Sequence, residues 1–293
     1  MGVFVGWRAQ YIEGDHTVPL FELFNEHGHK FVFESLLFAN QHKDRQGTIV
    51  GVYTNVTHPS HSCIIERDEI RHDIGRKVAL KLVHADDADH EIKAVKWVNK
   101  HHVPGIVPAE ALDTGTPYAC VVMPLLHSTL HNMQMSMNDC ERLGIFLLII
   151  CMLSEMLAKD VIYIDLKMAN IMCTERGEWL FIDYGSLHRK GSLYGYSTYP
   201  PIEFMSGVDV ECNEKSLLQI IGNFWVTLHS PRLERHIRYD RKIDLGREKV
   251  KRHCRSKVLD VCWGEECISL TNLIQELSTK HDTAPQIFAA DGD

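Results

Sequence analysis

The chain lacks a long hydrophobic run, a secretory start and an excess of basic charge, and each absence excludes a class of protein. Its longest apolar run, residues 145–153, is far shorter than the roughly 20 residues that span a bilayer, so we expect no membrane segment. Because no basic start and apolar stretch follow Met1, we expect no secretory signal. A formal charge of −8 disfavours general nucleic-acid binding, which needs a basic face.

The cysteines lack the close pairs of a metal site or a disulfide framework. Nine of them are scattered over 293 residues, so we expect reduced thiols and a location in the cytosol or the nucleus. The remaining composition is that of an ordinary globular protein, with 45% hydrophobic and 24% charged residues. At this length the chain can form one large domain or two small ones.

Apolar patterns predict strands first and helices afterwards along the chain, which indicates an α+β fold. Residues 1–30 have no clear pattern and stay unassigned, and the long polar segment of residues 54–75 is expected to be an insertion with short structure of its own. The predicted elements are strands at residues 31–33, 36–38, 48–53, 77–83 and 118–123, the last closed by Pro124, a helix from Asp86 to before Pro104, and a helix buried on nearly all sides at residues 141–159.

Two carboxylates, an amide and an amine follow one another at fixed spacing in the middle of the chain. Lys167 stands two residues after Asp165, Asn170 three residues later, and Asp183 thirteen residues after that, directly before Tyr184. The apolar residues around them predict that the first three lie in a loop after the buried helix and that Asp183 follows a strand. One such carboxylate in a loop is ordinary, but four polar groups in this order indicate a catalytic site.

In this order and spacing the four residues resemble the catalytic core of eukaryotic-type Ser/Thr protein kinases. The resemblance implies a two-lobed kinase-like fold, with a strand-rich N-lobe at residues 31–124, a helical C-lobe at residues 125–293 and an N-terminal extension at residues 1–30. It implies phosphoryl transfer from ATP to Ser/Thr hydroxyls of protein substrates. Small-molecule kinases share the Asp and the Asn but lack Lys167, which makes them the less favoured enzyme class.

The resemblance also implies a role for each of the four residues. Asp165 would orient the acceptor hydroxyl and take its proton, and Lys167 would offset the negative charge that develops during transfer. Asn170 and Asp183 would supply oxygen ligands to Mg²⁺, the cofactor that accompanies ATP. Upstream, Lys81 resembles the strand lysine that contacts the α- and β-phosphates.

The predicted partner of Lys81 is Glu91, on the helix that follows the lysine strand. Glu91 shares a helix face with Val95 and Val98, so its charge needs a partner when that face is buried. Lys77, Lys93 and Lys96 are nearby alternatives for the ion pair, and a solvated Lys81 and Glu91 is the other interpretation. By the same resemblance, nucleotide contacts would come from Gly47 in the phosphate loop, from the backbone of Pro124 and Leu126 in the hinge, and from Ala79 and Met172 as apolar walls for the base.

Two departures from the kinase pattern imply a divergent member that resembles the kinases of large DNA viruses, and such a protein is expected in the host cytosol or nucleus. In the phosphate loop Arg45 and Val50 stand at two of the three glycine positions, unless Gly51 is the third glycine. Tyr163-Ile164 replaces the usual His-Arg before Asp165, so an activation-segment phosphate has no built-in arginine receiver. We therefore expect activity without phosphorylation of that segment, and the weakened loop leaves a non-catalytic binding scaffold, a pseudokinase, as the alternative.

The segment from Arg232 to Lys257 has eleven basic and four acidic residues in a chain of net negative charge. Two interpretations stay open for it. It is either a solvated pair of helices in the second lobe, or a basic patch that docks an acidic partner or serves in nuclear import.

Overall fold

The computed structural model describes residues 5–13, 16–24, 30–39, 48–55, 63–67, 70–75, 77–113, 118–194, 198–199, 201, 210–237, 250, 256–264 and 269–281. The chain divides into two compact units. The first comprises Met1–His102 and Ile106–His127, and the second comprises Val103–Gly105 and Ser128–Asp293. The sequence placed the boundary after Pro124, and the division falls three residues later.

The first unit is built on antiparallel strands and one helix. Its strands are β1 (Val5–Glu13), β2 (His16–Phe24), β3 (Lys30–Ala39), β4 (Ile49–Asn55), β5 (Cys63–Arg67), β6 (Ile70–Gly75), β7 (Lys77–His84), β8 (Glu110–Asp113) and β9 (Tyr118–Pro124), and its helix is α1 (Ala85–His101). Seven strands form one sheet in the order β1-β2-β3-β4-β7-β9-β8, and every neighbouring pair is antiparallel. The predicted α+β class is therefore confirmed.

Two parts of the sequence that were difficult to interpret form hairpins. The unassigned N-terminal residues supply β1 and β2, which extend the edge of the seven-stranded sheet beyond β3. The polar insertion contains β5 and β6, which pair with each other in a separate two-stranded sheet. The expectation that the insertion has structure of its own is confirmed.

Helix α1 packs one apolar face inside the first unit. Ala88, Glu91, Val95 and Val98 are buried and recur at helical spacing. Ala88 belongs to a cluster with residues of β7 and β9, so the helix is held against the strand that contains Lys81. The predicted helix, its start and its end before Pro104 are confirmed.

The second unit contains the remaining helices and several short strands. The helices are α2 (Leu130–Met133), α3 (Asp139–Leu157), α4 (Glu214–His229), α5 (Lys257–Trp263) and α6 (Leu270–His281). The strands are β10 (Ser128–Thr129), β11 (Val161–Tyr163), β12 (Ile171–Cys173), β13 (Trp179–Phe181), β14 (Leu187–Arg189), β15 (Leu193–Tyr194) and β16 (Val210–Glu211). They form a three-stranded sheet β10-β12-β13 and the pairs β11-β14 and β15-β16.

The buried helix of the second unit is not the one that the sequence indicated. Helix α3 is present, but Leu148 is 43% exposed and Cys140 and Cys151 are also exposed, so its predicted burial on nearly all sides is wrong. Helix α4 instead buries every residue from Ser216 to Leu228. The apolar composition of α3 did not reveal that some of its apolar side chains are exposed. No helix in the described ranges has both the length and the apolar character to cross a membrane.

Candidate active site

The predicted catalytic loop connects β11 to β12 in the second unit. A turn after α3 leads into β11, and residues 164–167 then run into a 3-10 turn, Met168–Asn170, that ends at β12. Strand β11 is anchored by β14, and β12 by β10 and β13. Because both flanking strands are paired, the loop is held at its two ends.

The carboxylate of Asp165 accepts hydrogen bonds on both oxygens. Lys167 Nζ lies 2.5 Å from Oδ2, and the backbone N–H of Thr198 donates to Oδ1 over 2.7 Å. The Lys167 ammonium also lies 3.5 Å from the Thr198 hydroxyl. The Asp165 side chain is only 10% exposed, so its charge is stabilised mainly by these donors. The loop thus presents a fixed carboxylate with a cation beside it.

Asn170 is oriented by the same aspartate. Its side-chain Nδ2 donates to the Asp165 carbonyl oxygen at 3.1 Å and lies 3.4 Å from Asp165 Oδ2. Since the nitrogen side of the planar amide faces Asp165, the amide oxygen faces the opposite side. Asn170 is buried and held in place, and its amide oxygen is available as a metal ligand.

Asp183 follows β13 and has a left-handed backbone, with φ 69° and ψ 84°. Such a conformation is uncommon outside glycine and occurs often at functional sites. The N–H of Ile182 donates to the Asn170 carbonyl oxygen at 3.0 Å, which joins the two segments that contain the predicted metal ligands. The Ser186 hydroxyl donates to Asp183 Oδ2 at 2.8 Å. The backbone and this hydroxyl together fix the Asp183 carboxylate.

Tyr163, which replaces the usual histidine, fills the interior behind the loop. It is fully buried, and its ring stacks on Phe181 with 4.6 Å between ring centroids. Burial raises the pKa of Tyr163 well above its usual range, and the negative charges of Asp183 and Asp165 raise it further. The Tyr163 phenol therefore stays neutral near the carboxylates of Asp165 and Asp183, and its role is packing.

In the first unit Lys81 and Glu91 form an ion pair, as predicted. Lys81 Nζ lies 2.6 Å from Glu91 Oε1, and the two side chains are 13% and 7% exposed. Of the three alternative lysines, Lys77 pairs with Glu34 at 2.7 Å, Lys93 pairs with Asp89 at 2.6 Å, and Lys96 is exposed. The solvated interpretation of Lys81 and Glu91 is therefore wrong.

The other predicted nucleotide contacts are distributed over both units. Ala79 is buried in β7 of the first unit, where Pro124 also ends β9 opposite Val78 and Leu126 is nearly buried. Met172 lies in β12 of the second unit, and its side chain is partly exposed. Gly47 and Arg45 lie outside the described residues, so the phosphate loop itself stays a prediction.

Gly51 has a packing reason of its own in the first unit. It lies inside β4, opposite Leu80 of β7. A Cβ atom at this position would come within 3.0 Å of the rings of Phe33 and Tyr53, which are themselves in edge-to-face contact. The requirement for glycine here is explained by these aromatic neighbours.

The sequence did not predict the contacts that Thr198 and Ser186 make in the candidate site. Thr198 contacts Asp165 across 33 residues of chain, and no spacing rule predicts such a contact. Ser186 follows a Tyr-Gly pair, and a serine beside glycine indicates no more than a turn. By the kinase resemblance, Gly195, Tyr199 and Glu203 would belong to the end of an activation segment. Gly195 and Glu203 lie outside the described residues, as does most of the basic segment between Arg232 and Lys257.

The predicted magnesium ligands fit that ion by chemistry. Asn170 and Asp183 present amide and carboxylate oxygens, the donors that Mg²⁺ prefers, and Mg²⁺ commonly takes its other ligands from phosphate and water. Across the parts of the chain that the structure describes, no three or more His, Cys, Asp or Glu side chains are grouped to hold a metal by themselves.

Comparison with known proteins adds no family to this picture. No protein-family model matches the chain, and no curated protein sequence matches it significantly. The functional argument therefore depends on the geometry of the residues described above.

Proposed function

We propose that the chain is a Ser/Thr protein kinase that transfers the γ-phosphoryl group of ATP to hydroxyl groups of protein substrates. The observation that carries the proposal is the contact of Asp165 with both Lys167 and Asn170 in one buried loop. A carboxylate held beside a lysine and a metal-binding amide is the combination that phosphoryl transfer requires.

In this proposal each residue of the loop has one task. Asp165 accepts the hydrogen bond of the substrate hydroxyl and takes its proton as the new O–P bond forms, while the bond from the γ-phosphorus to the β–γ bridging oxygen breaks and ADP leaves. Lys167 lies beside Asp165 and offsets negative charge on the transferring group. Both side chains are already fixed in place, so little reorganisation is needed at the moment of reaction.

When bound with the nucleotide, magnesium would supply positive charge that neutralises the phosphates. Asn170 and Asp183 are the residues that would hold it. Asn170 is oriented through its amide nitrogen, and Asp183 is fixed by its backbone conformation and by Ser186. The pair fits this task because the side chains that would supply the two ligand oxygens are both held by hydrogen bonds.

The first unit supports the same proposal through Lys81. Its ammonium is held by Glu91 on an interior face and would contact the α- and β-phosphates. The lysine strand β7 lies between β4 and β9, and the helix that supplies the glutamate follows it directly in the chain. This arrangement favours a kinase-like N-lobe for the first unit and a kinase-like C-lobe for the second.

A binding scaffold without catalysis is the second candidate function. The observation that favours it is the residue choice near the predicted phosphate loop, where Val50 lies in β4 and Gly51 is accounted for by packing. A loop with a single glycine would bring fewer backbone N–H groups close to phosphate. The scaffold requires nucleotide binding at most, and the kinase requires transfer.

One experiment separates the two candidates. The purified chain is incubated with γ-labelled ATP, Mg²⁺ and a generic protein substrate, and the labelled amino acids are identified, with Asp165→Asn as the control. The kinase predicts label on serine and threonine that disappears in the variant. Thermal stabilisation by nucleotide without any transfer would instead support the scaffold.

A further inference from the structure

Ser186 is the residue that joins the Asp183 carboxylate to the catalytic loop. Its hydroxyl donates to Asp183 Oδ2 at 2.8 Å, and its backbone N–H donates to the Asp183 carbonyl oxygen at 3.1 Å. Its own carbonyl oxygen accepts from the N–H of Ile164, next to Asp165, at 2.9 Å. Only 4% of Ser186 is exposed, so this hydroxyl is shielded from water.

We propose that Ser186 is a positioning residue for the metal, which sets the orientation of the Asp183 carboxylate before the ion binds. This inference rests on the proposed function, because it assigns Asp183 the role of a magnesium ligand. Ser186 itself does not touch the metal or the nucleotide. It acts through Asp183, and through Ile164 it fixes the distance between this carboxylate and the catalytic loop.

Asp183 needs a positioning partner because its side chain can still rotate when its backbone is fixed. The left-handed conformation of Asp183 sets where its side chain begins, but not how the carboxylate is rotated. A buried donor on one oxygen removes that freedom, and a carboxylate has further lone pairs with which to bind a cation. Partners of metal ligands commonly change metal affinity by about 10- to 100-fold when they are removed.

A purely structural role for Ser186 makes a different prediction. Its backbone belongs to the 3-10 turn Tyr184–Ser186, and those backbone bonds survive in an alanine variant. If the hydroxyl only stabilised this turn, its loss would lower the melting temperature and leave metal affinity unchanged. Metal affinity and thermal stability are therefore measured on the same proteins.

The test is binding of Mn²⁺, detected by electron paramagnetic resonance, to the full chain in the presence of a non-hydrolysable ATP analogue. Ser186→Ala is expected to weaken Mn²⁺ binding by about 10-fold. Ser186→Thr keeps a hydroxyl and is expected to restore the wild-type affinity. Ser192→Ala removes a hydroxyl that donates to the Arg189 carbonyl oxygen instead, and it is the matched control that should change nothing.

Asp183→Asn separates failure of this inference from failure of the proposed function. If Asp183→Asn weakens Mn²⁺ binding and Ser186→Ala does not, the positioning role is overturned and the kinase proposal stands. If neither variant affects Mn²⁺ binding, the metal role of Asp183 is wrong and both proposals fail. Melting curves of each variant identify any protein that is not folded. If Ser186→Thr does not fold, the Mn²⁺ affinity of Ser186→Ala alone decides whether Ser186 positions Asp183.

Discussion

At the scale of single residues, the buried ion pair of Lys81 and Glu91 is the feature of the first unit that mutations can test most directly. Both side chains are largely shielded from water, and they are 2.6 Å apart. Removal of one partner of a buried pair leaves an uncompensated charge. The pair therefore matters for stability as well as for the proposed contact with phosphate.

We predict that Lys81→Ala and Glu91→Ala each lower the free energy of unfolding by about 3 kcal/mol, because each leaves one buried charge alone. The double variant should lose less than the sum of the two, since no charge is then left without its partner. Urea denaturation measures all three. Lys93→Ala, on the same helix, breaks an exposed pair with Asp89 and should have no measurable effect. Equal effects of Lys93→Ala and Glu91→Ala would contradict the prediction.

Several site residues could be predicted from sequence because their spacing follows directly from local structure. Asp165, Lys167 and Asn170 belong to one loop, and a loop between two short strands allows few arrangements. Lys81 and Glu91 were harder, since three other lysines were available, and only the packing of the helix face selects Lys81. The contacts of Thr198 and Ser186 depend on chain segments that meet in three dimensions.

At the scale of elements, the two long helices of the second unit begin with the same device. Asn138 caps α3 and Asn213 caps α4, and in each case the third helical residue bonds back to the cap. This capping box satisfies N–H groups that a helix start leaves without intrahelical partners. The helix starts are therefore encoded locally, whereas the buried faces are not.

We predict that Asn138→Ala destabilises the second unit by about 1 kcal/mol, because the N–H of Glu141 loses its acceptor. Asn138→Ser retains a capping oxygen and should be close to wild type. Thermal or urea unfolding gives the comparison. A serine variant as unstable as the alanine variant would mean that the cap does not stabilise α3.

The end of α4 is predicted to make stability depend on pH. His229 packs on Trp225 with 3.8 Å between ring centroids. Burial, together with the smaller effect of the positive charge of Arg142, lowers the pKa of His229 to about 3. Below the ordinary pKa of histidine, near 6.5, His229 binds a proton in the unfolded chain but stays neutral in the folded chain. Stability should therefore fall as the pH drops from about 6.5 towards 3.

His229→Phe retains an aromatic ring on Trp225 and removes the proton, so it should reduce this loss by about 1.4 kcal/mol per pH unit. The measurement is the free energy of unfolding between pH 7 and pH 4 for both proteins. Parallel pH profiles would show that His229 is protonated equally in the folded and unfolded states, contrary to its buried environment.

Local patterns at this scale located the central strands of the first unit and the helices α1 and α3, and they missed elements that depend on distant neighbours. The strands around Lys81 and the helix up to Pro104 have clear periodicity, and both were predicted. Strands β1 and β2 mix glycine, proline and charged residues, and they are stabilised by pairing at the edge of the sheet. The exposed face of α3 could not be predicted, because its residues are apolar whether or not a neighbour covers them.

At the scale of the whole molecule, each unit supplies one set of the proposed kinase residues. The first contains the lysine and glutamate pair, and the second contains Asp165, Lys167, Asn170 and Asp183. The presence of all six polar groups favours the proposed kinase over a protein that only binds a partner. The central claim is therefore that the chain catalyses phosphoryl transfer with Asp165 as the base.

The rate of label transfer from γ-labelled ATP to protein serine and threonine, measured for wild type and Asp165→Asn in parallel, tests this claim most directly. Nucleotide binding is measured first on both proteins, so that a slow variant is known to be folded and loaded. If Asp165 is the base, the wild type transfers label and the variant does so at a rate at least about 100-fold lower, since a positioned base contributes that much or more. Equal rates for the two proteins, or a wild type that binds nucleotide with Mg²⁺ and transfers no label, would contradict it.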